Sequence, residues 1–144
     1  MDQRPDFHMK HLFLAWAAMT ATMLVVDLLW LGVLAKPLYQ QGIGHLMAEQ
    51  PRLGAAALFY ALYPLGVLLF VLVLPAHQGE WLRVAWIGAA FGFFAYATYD
   101  LTNLATLRGW PWRLAAIDMA WGSLLTAVMS MAGLAVWKAA RPLQ

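Results

Sequence analysis

The sequence has 144 residues, 63% of them hydrophobic and 11% charged, with a mean hydropathy of +0.65, which lies outside the balance of a water-soluble domain and points to the bilayer as its main solvent. The net charge of +2 and pI near 9.2 come from nine Lys and Arg scattered at the ends of apolar stretches, not from the clustered basic face that nucleic-acid binding requires. With no cysteine in the sequence, disulfides, thiolate metal sites and thiol redox chemistry are excluded.

A hydrocarbon core about 30 Å thick takes roughly 20 apolar residues per helical crossing, and four such stretches occupy most of the sequence. The predicted fold is therefore all-α: a polytopic membrane protein, a four-transmembrane-helix bundle with short loops, with 1–144 as a single membrane domain. The first predicted span covers about 12–35. Arg4 and Lys10 before it resemble a signal-peptide n-region, but the apolar stretch is too long for a signal core and contains Asp27, so it reads as an uncleaved helix. Lys36-Pro37 ends it. Residues 36–52, with Gly42, Gly44, His45, Glu49 and Pro51, read as a polar loop holding at most one short interfacial turn. The second span covers about 53–76, and Pro64 and Gly66 inside it predict a kink that neighbouring helices must accommodate. His77 to Glu80 form a tight turn before the third span, about 81–107. Arg108-Gly109-Trp110-Pro111-Trp112-Arg113 is the next turn, rich in interface-seeking side chains. The fourth span covers about 114–137.

An even number of spans places both termini on one side, A, with the His77 turn; the other two loops lie on side B. Side A carries Arg4, Lys10, Arg83, Lys138 and Arg141, against Lys36, Arg52, Arg108 and Arg113 on side B. That one-residue excess favours cytoplasmic termini.

Three aspartates fall inside the spans, where a charge costs about 2.5 to 3.5 kcal/mol even on lenient insertion scales. Asp27 lies about eight residues from the side-B end of its span, Asp100 about seven and Asp118 about five, so at 1.5 Å per residue all three sit roughly 8 to 12 Å below side B. In the third span Gly88, Gly92, Tyr96, Tyr99, Asp100, Asn103 and Thr106 share a side, with Thr102 at its border, and Gly88-x-x-x-Gly92 allows close helix approach. Asp118, Gly122, Thr126, Ser130 and Gly133 share a face of the fourth. Tyr60 and Tyr63 lie near the same layer and are placed to donate hydrogen bonds to carboxylates. Thr20 and Trp30 flank Asp27, and Asp27-x-x-Trp30 in the first span matches Asp118-x-x-Trp121 in the fourth. The candidate binding residues are Asp27, Asp100, Asp118, Asn103, Tyr96, Thr102, Tyr99 and Tyr63; no catalytic or metal-binding residue is assigned. A structural alternative pairs Asp100 and Asp118 with Arg52, Arg108 or Arg113.

His8, His11 and His77 read as surface residues, and His45 sits in the side-B loop above the layer. Trp81, Trp110, Trp112 and Trp137 read as an aromatic belt, and Met19, Met23, Met129 and Met131 as packing residues. A membrane haem needs axial histidines within the spans, and histidine-rich di-iron lipid oxidases need them too; neither pattern is present. An intramembrane aspartyl protease is disfavoured because Asp118 follows Ala115-Ala116-Ile117 rather than a Gly-x-Gly motif. No cofactor is expected.

The segments Val26-Asp27-Leu28-Leu29-Trp30-Leu31-Gly32-Val33, 95–107 (from Ala95-Tyr96 through Tyr99-Asp100 to Thr106-Leu107), Gly109-Trp110-Pro111 and Asp118-Met119-Ala120-Trp121-Gly122 resemble a bacterial membrane family, domain of unknown function 2177. The resemblance runs over nearly the whole sequence after Lys10 and includes all three aspartates. It implies a small inner-membrane protein in a lipid-related setting, with no activity assigned. Three readings follow. In the first, the aspartate layer binds a proton, a cation or a small polar group for transport, with Asp100 as the main site. In the second, the same carboxylates do acid or base work in membrane-lipid modification, as an enzyme or its accessory; the balance favours a non-enzyme. The third is a structural partner subunit. The expected partners are the lipid bilayer, a small cation, proton or lipid ligand, and a second copy or another membrane protein, docked through the Gly88-Gly92 face if that face is not used internally.

Overall fold

The computed structural model describes residues 9–74 and 80–140. The turn expected over His77 to Glu80 lies, Glu80 apart, outside the described residues, as do Arg4, His8 and Arg141. The described residues form five α-helices and no strand: α1 (Met9–Leu29), α2 (Lys36–Ile43), α3 (Leu53–Val67), α4 (Trp81–Thr106) and α5 (Trp112–Ala139). Three helical stretches, Met9–Leu34, Leu53–Val73 and Trp112–Ala139, are long and apolar enough to cross a membrane. α4 has 26 residues, but Arg83, Asp100, Asn103 and its threonines lower its apolar content below that level.

α1 continues past Leu29 as a wider π-helical segment, Trp30–Leu34, which lets an extra residue into the turn; such segments recur at functional sites. α3 behaves likewise. Pro64 lies inside it without a backbone N–H to give the preceding turn, and Leu68–Val73 continue as π-helix. The segment read as a loop departs from expectation. Lys36-Pro37 does not only end the first span, because Pro at the first helical positions starts α2, its fixed φ and missing N–H suiting a place where no donor is needed. A three-residue 3₁₀ turn, Gly44–Leu46, follows.

α5 is the central element, packed along α4 on one side and α1 on the other. Small residues make the first contact. A methyl added at Gly88 would lie 2.6 Å from Ser130 Oγ, and one at Gly92 would overlap the Gly122 carbonyl and Thr126. The Gly88-Gly92 face is thus consumed inside the bundle. Gly133 receives Met19 in the same way. Beyond the aspartates the core is mainly apolar, with Met19, Met23, Val67, Val71, Val84, Leu125 and Met129 fully buried alongside Thr126 and Ser130; Met131, expected to pack, is 37% exposed.

The inward face of α4 is narrower than the sequence stripe. Gly88, Gly92 and Asp100 are buried, and Tyr96 and Asn103 are half-buried, but Tyr99, Thr102 and Thr106 are exposed. Tyr99 precedes Asp100 by one residue and so points about 100° away from it. Thr98, Thr102 and Thr106 each donate their hydroxyl to a carbonyl one turn back on their own helix, at 2.7, 2.5 and 2.7 Å, which satisfies them on an outward face without a bundle partner.

Candidate functional site

The three aspartates are 3% (Asp27), 0% (Asp100) and 4% (Asp118) exposed, on three different helices. Asp118 lies within electrostatic range of both Asp100 and Asp27. None has a Lys or Arg neighbour among the described residues. Arg113 instead lies 5.9 Å from the ring of Trp112, and Arg52 and Arg108 are exposed. Among the described residues, the layer therefore holds three carboxylates without a counter-cation.

Their hydrogen bonding differs in kind. Asp27 is saturated: the Trp121 indole N–H donates to Oδ1 at 3.1 Å and the Tyr60 hydroxyl to Oδ2 at 3.2 Å. Asp118 accepts from the Tyr39 hydroxyl. Asp100 has both oxygens buried and no hydrogen-bond partner. A neighbouring donor, the Trp110 indole, lies outside hydrogen-bond geometry and is itself buried without a partner. Trp30 Nε1, beside Tyr39, is in the same condition. Among the described residues, these four atoms are the buried side-chain polar atoms left unpaired, and all belong to this layer. Buried polar groups are nearly always paired, so each exception calls for an account.

Two tryptophans tie α1 to α5. Trp30 and Trp121 stack at 4.1 Å with 7° between their planes. The repeated Asp-x-x-Trp spacing is thus a cross-linked pair, in which the tryptophan following Asp118 serves Asp27, and the tryptophan following Asp27 borders Tyr39, which serves Asp118. Tyr39 comes from α2, outside the spans. Burial, together with the Asp118 carboxylate that its hydroxyl meets, holds its phenol above the usual range. α2 is seated by Gly42, where an added methyl would lie 3.1 Å from Pro111 and 3.6 Å from Leu114.

The remaining sequence candidates divide. Tyr63, expected at a carboxylate, bonds to Thr126 at 2.7 Å; because Thr126 gives its own proton to the Gly122 carbonyl, Tyr63 is the donor. Tyr96 packs over Gly122 and meets Tyr63 edge-on at 6.4 Å. Asn103 lies beside Tyr99 on the outer flank of Asp100. Thr102 is turned to its own backbone. Trp110 departs from the aromatic belt: it is 8% exposed and meets Tyr99 edge-on at 5.6 Å, folded inward by a chain turn in which Gly109 has φ 78°, a conformation open to glycine. Trp81 and Trp112 are exposed, Trp81 with the Lys138 ammonium 5.0 Å from its ring.

Tyr39 and Trp110 carry no sequence signal that points to this site. Trp110 was readable only as an interface tryptophan, and Tyr39 lay in a segment with no strong helical periodicity. Among the described residues no group of three or more His, Asp or Glu side chains is placed to hold a metal ion. The arrangement is one open acceptor, Asp100, with the unpaired Trp110 indole and the already engaged Asp118 carboxylate beside it and Asp27 in turn near Asp118. It can take a proton, or a group that donates to Asp100.

A family model described as a predicted membrane protein (DUF2177) matches residues 12–135. No curated protein and no solved structure matches the chain.

Proposed function

The chain belongs to the DUF2177 family of predicted membrane proteins, and on that premise we propose that it is a four-span bundle of the bacterial inner membrane whose aspartate layer binds a proton, a cation or a small polar group for transport. Asp100 is the main site, and Asp27 and Asp118 shape the layer around it. The observation that carries this reading is the fully buried Asp100 carboxylate with neither oxygen hydrogen-bonded and, among the described residues, no cation beside it. A lone ionised carboxylate in low dielectric is far too costly to persist, so it is neutralised by a proton or by a bound cationic or hydrogen-donating group. The fourth span is α4. It runs beside α5; Asp100 is buried against the bundle, and the hydroxyls of Thr98, Thr102 and Thr106 bond to their own helix backbone, which supports placing this less apolar helix in the bilayer, with Arg83 near its end.

A ligand that binds only the folded protein raises its stability by RT ln(1 + [L]/Kd), about 2.7 kcal/mol at a hundredfold excess over Kd. Thermal unfolding of the detergent-purified protein, titrated with protons, monovalent cations and small organic ammonium ions, tests the proposal. One of these stabilises the wild type, and the shift is lost in Asp100→Asn. Equal shifts in both proteins for every probe defeat the assignment of Asp100. A cellular lipid profile altered by Asp100→Asn, with no ligand-dependent shift in either protein, replaces transport by lipid modification.

A further inference from the structure

The N-terminal half of α3 stands away from α4. Between them runs a groove of about 470 Å³, formed on α3 by Ala55, Leu58, Phe59, Leu62, Tyr63 and Gly66 and closed on the far side by Phe91. The α3 residues follow the three-and-four spacing of one helix face, and Leu58, Phe59 and Leu62 are exposed. Tyr63 and Phe91 meet edge-on at 6.0 Å on the groove floor, and Phe91 lies 6.2 Å from Phe70 below. The π-helical segment that ends α3 packs against α4 and α5, so the groove is shut at that end and open toward the start of α3.

Two observations identify an occupant. From Ala55 to Gly66 the groove spans eleven helical steps, roughly 16 Å along the axis, or about half of a hydrocarbon core of roughly 30 Å: the depth of one leaflet, hence of one acyl chain. At its open end stands Arg52, the residue before α3, exposed and three positions before Ala55 in the chain. A cation at the interface above an apolar slot one leaflet deep complements a phosphate ester carrying an acyl chain.

We propose that the α3–α4 groove binds one phospholipid of the side-B leaflet, its acyl chain along Ala55 to Gly66 and its phosphate at Arg52. The floor of this site adjoins the polar network, because Tyr63 bonds to Thr126 and Tyr60, three residues earlier, donates to Asp27. The bound chain completes the wall that α3 leaves open beside the aspartate layer. The lipid site goes beyond the carboxylate reading and stands without it, since lipid occupancy reports on the groove and ligand-dependent stabilisation on Asp100.

The test is native mass spectrometry of the detergent-purified protein titrated with dioleoylphosphatidylglycerol, and separately with a dioleoyl monoglucosyl diacylglycerol that lacks phosphate. The wild type retains one phosphatidylglycerol at concentrations at which the glucolipid is bound about tenfold more weakly. Arg52→Gln erases that preference. Ala55→Trp and Leu62→Trp, both at exposed positions and each checked for native helix content, lower phosphatidylglycerol occupancy at least tenfold by filling the slot. Unchanged occupancy in a folded Trp variant overturns the proposal, as does equal affinity for the two lipids in the wild type. A dimeric mass that Leu62→Trp converts to monomer also overturns it, because a second copy then fills the groove.

Discussion

Asp27, Asp100 and Asp118 are chemically identical and equally buried, yet their surroundings give them different work. Asp27 accepts from Trp121 and Tyr60, so Asp27→Asn leaves one of two buried donors facing an amide NH₂. Losing a buried partner costs about 1 to 3 kcal/mol, and the thermal unfolding midpoint in detergent should fall accordingly. Asp100 accepts from nothing, so Asp100→Asn removes a charge-bearing group and no hydrogen bond. Its midpoint is expected to equal or exceed that of the wild type, in keeping with buried charges that are retained at a cost to stability. If Asp100→Asn unfolds as readily as Asp27→Asn, the distinction between a saturated and an open carboxylate is wrong.

Tyr39 supplies a pH signature from outside the spans. Its phenol is raised above the usual range by burial and by Asp118, so the folded protein keeps the proton while an unfolded phenol loses it near pH 10. The unfolded state then binds fewer protons, and stability falls with rising pH. The stability difference between wild type and Tyr39→Phe should be constant from neutral pH to about 9 and shrink above about 10, as read from paired unfolding curves. A difference that grows with alkalinity contradicts the Tyr39-to-Asp118 hydrogen bond.

At the level of helices, the α4–α5 contact depends on the absence of side chains. Gly92→Ala drives a methyl into the Gly122 carbonyl and Thr126, an overpacking that costs about 1 to 3 kcal/mol. Gly54→Ala, with open space around it, serves as the control and should leave the unfolding midpoint unchanged or slightly raised, because alanine favours helix. The Gly88-x-x-x-Gly92 spacing made this contact legible in the sequence; counting residues along four spans predicts one depth for the three aspartates, and the structure has Asp118 within electrostatic range of the other two. Other features were hidden for physical reasons. Thr102 and Thr106 read as inward because hydroxyls are usually placed by their partners, whereas here each helix carbonyl one turn back is the partner. Tyr39 was invisible because a short helix after Lys36-Pro37 looks like a polar loop until α5 is present to seat Gly42 against Pro111 and Leu114. Trp110 resembled its exposed neighbour Trp112, and only the backbone turn at Gly109 separates them.

For the molecule as a whole, the crossing of α4 decides the topology. A sequence without cysteine allows single reporters to be placed freely. Glu80→Cys and Arg108→Cys bracket α4, and a membrane-impermeant maleimide applied to intact inverted and right-side-out vesicles should label them from opposite sides. Labelling from the same side contradicts a four-span bundle and leaves α4 on the membrane surface.

Among the described residues the same bundle brings three carboxylates and no basic side chain together, with Asp100 the carboxylate left without a hydrogen-bond partner. Transport through that site is the central claim, and ion flux in proteoliposomes tests it most directly. Wild-type protein should move protons or a monovalent cation down an imposed gradient well above the rate of empty liposomes, and folded Asp100→Asn should lose at least nine-tenths of that flux. Flux in Asp100→Asn equal to the wild type, or wild-type flux no greater than that of empty liposomes, would contradict it.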